Sequence, residues 1–170
     1  MSRAVKSPMI EVRPAKSEEL PELAAIGLAS WRKGILPLVN AEVASRIESN
    51  NPFIPFLKEQ GENILVASVD GVLAGLGASE DRDNHISDIW VAPENEGKGV
   101  GSALIAALEE RFRAAAFAEA TISVSADNAR ALGLYLHLGY HETWRGFAHD
   151  PILDTTLEKI SLAKAIGSSG

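Results

Sequence analysis

The chain has 170 residues and a formal net charge of −7, which argues against a nucleic-acid partner, since phosphate backbones require a basic surface, and leans weakly towards an amine or cationic ligand. Apolar residues make up 46% and charged residues 23%, as in a globular protein with a substantial core, and one domain is expected over 9–165 with flexible ends at 1–8 and 166–170. Cysteine is absent, which removes disulfides, thiolate metal sites and any cysteine-bound acyl intermediate. No apolar run approaches the ~18 residues of a membrane span, and no apolar leader opens the chain, so a cytoplasmic location without membrane contact is expected.

In chain order, residues 9–13 alternate apolar and polar and read as a first strand. The Ser17-Glu18-Glu19-Leu20 opening suits a helix start, with acidic residues in the first turn. Leu20, Leu23, Ala24, Leu28 and Trp31 supply its apolar stripe, and Gly34 to Pro37 break it. Weaker helical patterns cover 41–47 and 52–60. Residues 64–69 and 72–78 form a strand pair around the hairpin signal Asp70-Gly71. After a polar loop at 79–84, residues 85–91 read as one strand. A helix from Val100 to about Ala116, a strand at 120–124, a helix at 128–138 closed by Gly139, and strands at 140–148 and 157–163 complete the chain. The order predicts an α/β (α+β) fold. Its mixed, mostly antiparallel sheet of six to seven strands carries helices on both faces.

The passage from strand to helix carries chemistry. Pro93 stops the strand, Gly97, Gly99 and Gly101 follow at alternate positions, and Val100, Leu104, Leu108 and Phe112 then recur at helical spacing. The first N–H groups of a helix lack intrahelical partners and carry the positive end of its dipole. Glycines let an anion reach them, so the amides of Gly97, Lys98, Gly99, Val100, Gly101 and Ser102 suit a diphosphate. A tight connection that binds nothing fits the glycines alone equally well. The dinucleotide fingerprint fails, because its last glycine is Ser102 or Leu104, and the P-loop fails, because Gly99 follows Lys98.

A second pattern decides between these. The run from Asn128 to Tyr140 reads N-A-R-A-L-G-L-Y-L-H-L-G-Y. With the glycine turn it resembles the GNAT superfamily of acyl-CoA-dependent N-acetyltransferases. That family's pattern N-x-x-A-x-x-L-Y-x-x-x-G-F/Y is met at every fixed position, and V-x-P-E-x-Q/R-G-x-G-x-G is met except at Glu96. The resemblance covers about 64–163. The S-W-R-x-x-I-L-P segment at 30–37 is similar to one group of small members whose first helices wall the acceptor site. The resemblance implies acetyl-CoA as co-substrate, held through its diphosphate by the turn amides. It implies pairing of the pantetheine arm with the backbone of Ile89, Trp90 and Val91, one of whose amides polarises the thioester carbonyl, and with Asn128. It makes Tyr135 the general acid for the leaving thiolate. Glu96, where Gln or Arg is usual, implies weaker cofactor binding, with Lys98 and Arg130 as compensating charges.

An amine acceptor must lose a proton before it attacks. Asp88 is the first candidate base, with His85 or an ordered water as alternatives; Glu80 and Asp81 are candidates only for attracting a cation. The branch that acetylates a ribosomal protein N-terminus carries a glutamate where this chain has Ser123, which argues against that activity. His137 and His141 flank Gly139, so no zinc pair and no metal is expected. The expected activity is direct acetyl transfer in a ternary complex to a primary amine of a small molecule, with a peptide or protein amine as the alternative. A CoA-binding sensor without catalysis and a nucleotide-phosphate binder are the rival classes. The resemblance leaves a homodimer open, and it locates acceptor specificity in the first helices and in 146–156.

Overall fold

The computed structural model describes residues 8–150, 153 and 155–167; the leader and tail expected to be flexible lie largely outside them. The strands are β1 (Ile10–Pro14), β2 (Leu65–Val69), β3 (Val72–Ala78), β4 (His85–Ile86), β5 (Asp88–Val91), β6 (Glu119–Ser125), β7 (His141–Asp150) and β8 (Thr155–Ala165). The helices are α1 (Leu20–Gly34), α2 (Ala41–Ser49), α3 (Phe53–Gln60), α4 (Val100–Ala114) and α5 (Ala129–His137). The mixed, mostly antiparallel architecture is the expected one, but the sheet has two leaves. One has the order β1-β2-β3-β5 and the other β4-β6-β8-β7. Among the described residues, only β4 and β6 run parallel.

The division follows from what happens at Ser87. The expected single strand 85–91 splits there. His85 and Ile86 pair with Thr121 and Ile122 of β6, whereas Asp88 to Val91 pair with Ala78 to Gly75 of β3. Ser87 donates both its N–H (2.9 Å) and its hydroxyl (3.1 Å) to the Ala78 carbonyl. That double bond to β3 pulls the chain off β6, so β5 and β6 diverge and a cleft opens between the leaves.

The core lies on both faces of the first leaf. Every residue of β2 is buried, and its period of two sorts the side chains. Leu65, Ala67 and Val69 join Val100, Leu104, Leu108 and Phe112 of α4, while Ile64 and Val66 join Leu23, Ala24 and Trp31 of α1 and Phe53 and Leu57 of α3. Burial on two faces explains why this strand reads as a continuous apolar run rather than an alternating one. Among the described residues no helix is long and apolar enough to cross a membrane.

Close approach of α4 to β3 depends on a bulge. Ala67 lies opposite Gly75 but Ser68 opposite Leu73, so Ala74 is an extra residue in the ladder. A Cβ on Gly75 would sit 2.8 Å from the Trp90 carbonyl and 3.0 Å from Val100 Cγ1. Gly75→Ala is expected to cost about 1–3 kcal/mol through overpacking. Gly133→Ala, inside α5 with nothing within 4 Å of the added carbon, is expected to gain about 0.5–1 kcal/mol. Urea unfolding of the two variants checks the contrast; equal effects would mean the helix and strand can separate freely at Gly75.

Candidate functional site

A cleft of about 730 Å³ occupies the gap between β5 and β6, a size suited to a small-molecule ligand. Ser30 and Lys33 near the end of α1, Ile35 just beyond it, and Leu153, Leu157 and Lys159 line the cleft. β5, the glycine turn, the tip of β6 and the start of α5 form its walls.

The glycine turn has the backbone its residues promise. Gly97 and Gly99 have φ of +78° and +88°, values at which a side chain is strained. Gly99 is the N-cap of α4, and Ala103 is the first N–H to close on it, at 3.0 Å. The amides of Val100, Gly101 and Ser102 therefore precede the helical ladder. Gly101 serves a different purpose: a Cβ there would meet Leu134 Cδ2 at 3.2 Å, so it lets α4 and α5 converge at the cleft.

Period two on β5 separates its side chains. Ile89 and Val91 pack towards α4, and Trp90 packs with the α1–α3 core, which puts Asp88 on the α1 side with it. Trp90 Nε1 donates to Asp88 Oδ1 at 3.0 Å. The Trp90 indole meets the Phe53 ring edge-on at 5.2 Å, and Phe53 lies over Gly27, where a Cβ would come within 2.6 Å of the ring. Helices α1 and α3 thus fix the indole that orients Asp88. Burial raises the Asp88 pKa above the ordinary carboxylate value, opposed by hydrogen bonds from Trp90 and Ser87. Such a carboxylate is a stronger base than a solvated one.

Tyr135 lines the same cleft from α5 and is 7% exposed. Burial, with the Asp88 charge as second cause, pushes its phenol up to about 12, so it is a protonated donor at neutral pH. Its ring meets that of Tyr140 edge-on, at 62° with centroids 6.4 Å apart. Tyr140 is anchored behind it: its hydroxyl donates to Glu109 Oε2 at 2.8 Å, and Lys164 Nζ donates to the same oxygen at 3.0 Å. Glu109 is buried in α4, and this paired carboxylate holds the end of the Asn128-to-Tyr140 motif against α4. Neither Glu109 nor Lys164 stands out in the sequence, because a glutamate beside Leu108 reads as an ordinary helix-surface residue.

Asp88, Ile89, Trp90, Val91, Glu96, Gly97, Gly99, Val100, Gly101, Ser102, Asn128 and Tyr135 all line the cleft. Lys98 does not; it is exposed, and its ammonium donates to Asn95 Oδ1 at 3.3 Å. Asn128 caps α5, accepting from Ala131 N–H at 3.3 Å, which commits Oδ1. His85 lies outside the lining, its Nδ1 2.8 Å from Thr121 Oγ1. Glu80 and Asp81 are exposed loop residues outside it as well. Glu96 turns from the glycine amides towards two cations, Lys33 Nζ and Arg130 Nη1, each 2.6 Å from its Oε2. Sequence reasoning did not find Lys33, 63 positions away, nor the Asp150–Lys159 pair at 3.0 Å. It also passed over Ser125, whose buried Oγ on the cleft wall has no hydrogen-bond partner among the described residues.

The model of the acetyltransferase (GNAT) family matches residues 28–140. A GCN5-related N-acetyltransferase from Rhodopseudomonas palustris is 25% identical with a TM-score of 0.74, covering 97% of this chain and 99% of that one. YjaB from Escherichia coli, in its apo form, is 25% identical with a TM-score of 0.73 over 94% and 99%. The PaiA N-acetyltransferase from Thermoplasma acidophilum, in complex with coenzyme A, shares the fold at 17% identity, with a TM-score of 0.70 over 92% and 99%.

Proposed function

The chain belongs to the GNAT acetyltransferase family, and from that premise we propose that it transfers an acetyl group from acetyl-CoA to a primary amine of a small molecule. One observation carries the reading: the glycine turn, Asp88 and Tyr135 open onto a single cleft between two diverging strands. The residues present fit the cofactor. The positive-φ glycines leave the turn open to a diphosphate, and the orphaned Ser125 hydroxyl is a polar atom waiting for a partner on the wall of the same cleft.

When bound, acetyl-CoA supplies a thioester, already activated towards amines. The amides of residues 97–102 would hold its diphosphate, and the free edge of β5 at Ile89, Trp90 and Val91 would pair with its pantetheine arm, one amide polarising the carbonyl. Asn128 hydrogen-bonds the same arm. Asp88 removes one proton from the acceptor ammonium, freeing the lone pair that forms the new C–N bond. Tyr135 faces the departing sulfur. With the phenol near 12 and a thiol near about 8.5, full proton transfer ahead of C–S cleavage is uphill. The transfer stays uphill after cleavage as well, so Tyr135 acts as a hydrogen-bond donor to the negative charge on sulfur, and the thiolate takes its proton from the attacking nitrogen, which must shed a second one as the amide forms. The products are an amide and a thiol, with one proton released to solvent.

The test is thermal unfolding with and without acetyl-CoA, using ATP and NADH as controls. At one hundred times its dissociation constant, acetyl-CoA is expected to add about 2.7 kcal/mol of stability, and the controls nothing. A thiol-release screen over amines and peptides then identifies the acceptor class. No shift at millimolar acetyl-CoA sinks the cofactor assignment, and turnover only with peptides replaces the small-molecule acceptor.

A further inference from the structure

Glu96 joins three elements that meet at the mouth of the cleft. Lys33 comes from the last turn of α1, Arg130 from the first turn of α5, and Glu96 from the turn that leads into α4. Both cations converge on one oxygen, Oε2, at 2.6 Å, and the carboxylate is largely covered, with 19% of its side chain exposed. All three side chains line the cleft. Arg130 needs such a partner, because a cation in the first turn of a helix opposes the helix dipole. The three groups sum to a single positive charge beside amides that themselves favour an anion.

We infer that Glu96 is a built-in competitor for the ligand's phosphates. In the free protein its carboxylate occupies Lys33 and Arg130, and an anion seated on the glycine turn takes these two cations from it. Lys33 and Arg130 thereby become phosphate-binding residues, a role assigned neither by the glycine turn nor by the cleft's catalytic pair. Glu96 lowers the affinity of the site below what its cations could provide. The exchange also frees α1 from the turn that leads into α4, since the Lys33–Glu96 pair ties the two together.

The inference rests on the acetyl-CoA reading, and the experiment separates the two. Calorimetric titration with acetyl-CoA, and with inorganic pyrophosphate as the minimal anion, is run on the wild type, Glu96→Gln, Lys33→Met/Arg130→Met, and the variant combining all three. Glu96→Gln is expected to bind acetyl-CoA about tenfold more tightly, the size expected when two partly exposed ion pairs no longer have to be given up. Lys33→Met/Arg130→Met is expected to bind it about tenfold more weakly, and adding Glu96→Gln to that pair should bring no further tightening. Pyrophosphate should follow the same order. Unchanged or weaker binding by Glu96→Gln, or unchanged binding by Lys33→Met/Arg130→Met, overturns the inference while leaving the cofactor reading intact. Failure of every variant and of the wild type to bind acetyl-CoA overturns the cofactor reading itself. If Glu96→Gln does not fold, the double cation variant still decides, because its affinity must fall.

Discussion

Tyr135→Phe is expected to lower kcat by about 10²–10⁴-fold, the usual worth of a positioned proton donor, while acetyl-CoA binding changes by less than about twofold. The asymmetry follows from where the hydroxyl acts. The phenyl ring keeps its contact with Tyr140 at 6.4 Å and its buried place in α5, so packing is conserved and the melting temperature should hold. Only the interaction with the departing sulfur disappears, and it exists only as the C–S bond breaks. Tyr140→Phe provides the comparison. Its hydroxyl is committed to Glu109 and does not line the cleft, so its loss leaves a buried carboxylate one donor short. That variant should lose about 1–3 kcal/mol of stability with a far smaller change in kcat. The pH profile adds a second check. With the Tyr135 phenol near 12, the wild type should show no alkaline loss of activity from this group at ordinary assay pH. Full activity in Tyr135→Phe would remove it from the mechanism.

What could be read from the sequence is what depends on local spacing. Gly97 and Gly99 declare a turn open to an anion, Val100 to Phe112 declare a helix, and Gly139 declares the end of the next one. Each is settled by neighbours within a few positions. Three features of the site are not. The split at Ser87 is invisible because His-Ile-Ser-Asp-Ile-Trp-Val suits a strand throughout, and only competition between β3 and β6 for its hydrogen bonds decides where it changes partner. The Glu96 clasp joins residues 63 positions apart, and the Glu109–Tyr140–Lys164 knot spans 55. In both, the residue types are ordinary surface ones, and tertiary packing alone makes them partners. Glu96 illustrates the cost of reading a motif by itself: as a carboxylate beside a diphosphate it reads as a defect, whereas its side chain is turned onto two cations.

Asp88→Asn should separate catalysis from stability, because the same burial that suits Asp88 to the proposed role of base makes it a liability to the fold. In the proposed role of the base that frees the amine, its replacement should cost about 10²–10⁴-fold in kcat/KM, and the acid limb of the wild-type pH profile should vanish with it. That limb lies above the ordinary aspartate range, since burial raises the folded-state pKa. The stability effect has the opposite sign. A carboxyl whose folded pKa exceeds its unfolded one binds more protons in the folded state, so stability falls as pH rises from the unfolded pKa through the folded one. Above the folded pKa the penalty is complete. Asparagine keeps the oxygen that accepts from Trp90 Nε1 but carries no charge. The variant should therefore melt at a higher temperature than the wild type at neutral pH, with the advantage shrinking to nothing below about pH 4, where the wild-type carboxyl is protonated in both states. An inactive but more stable variant is the signature of a residue held for its chemistry against the interest of the fold. A variant that keeps both its activity and its acid limb would transfer the base role to an ordered water or to His85. For His85 that requires a ring now bound to Thr121 and outside the cleft lining to move.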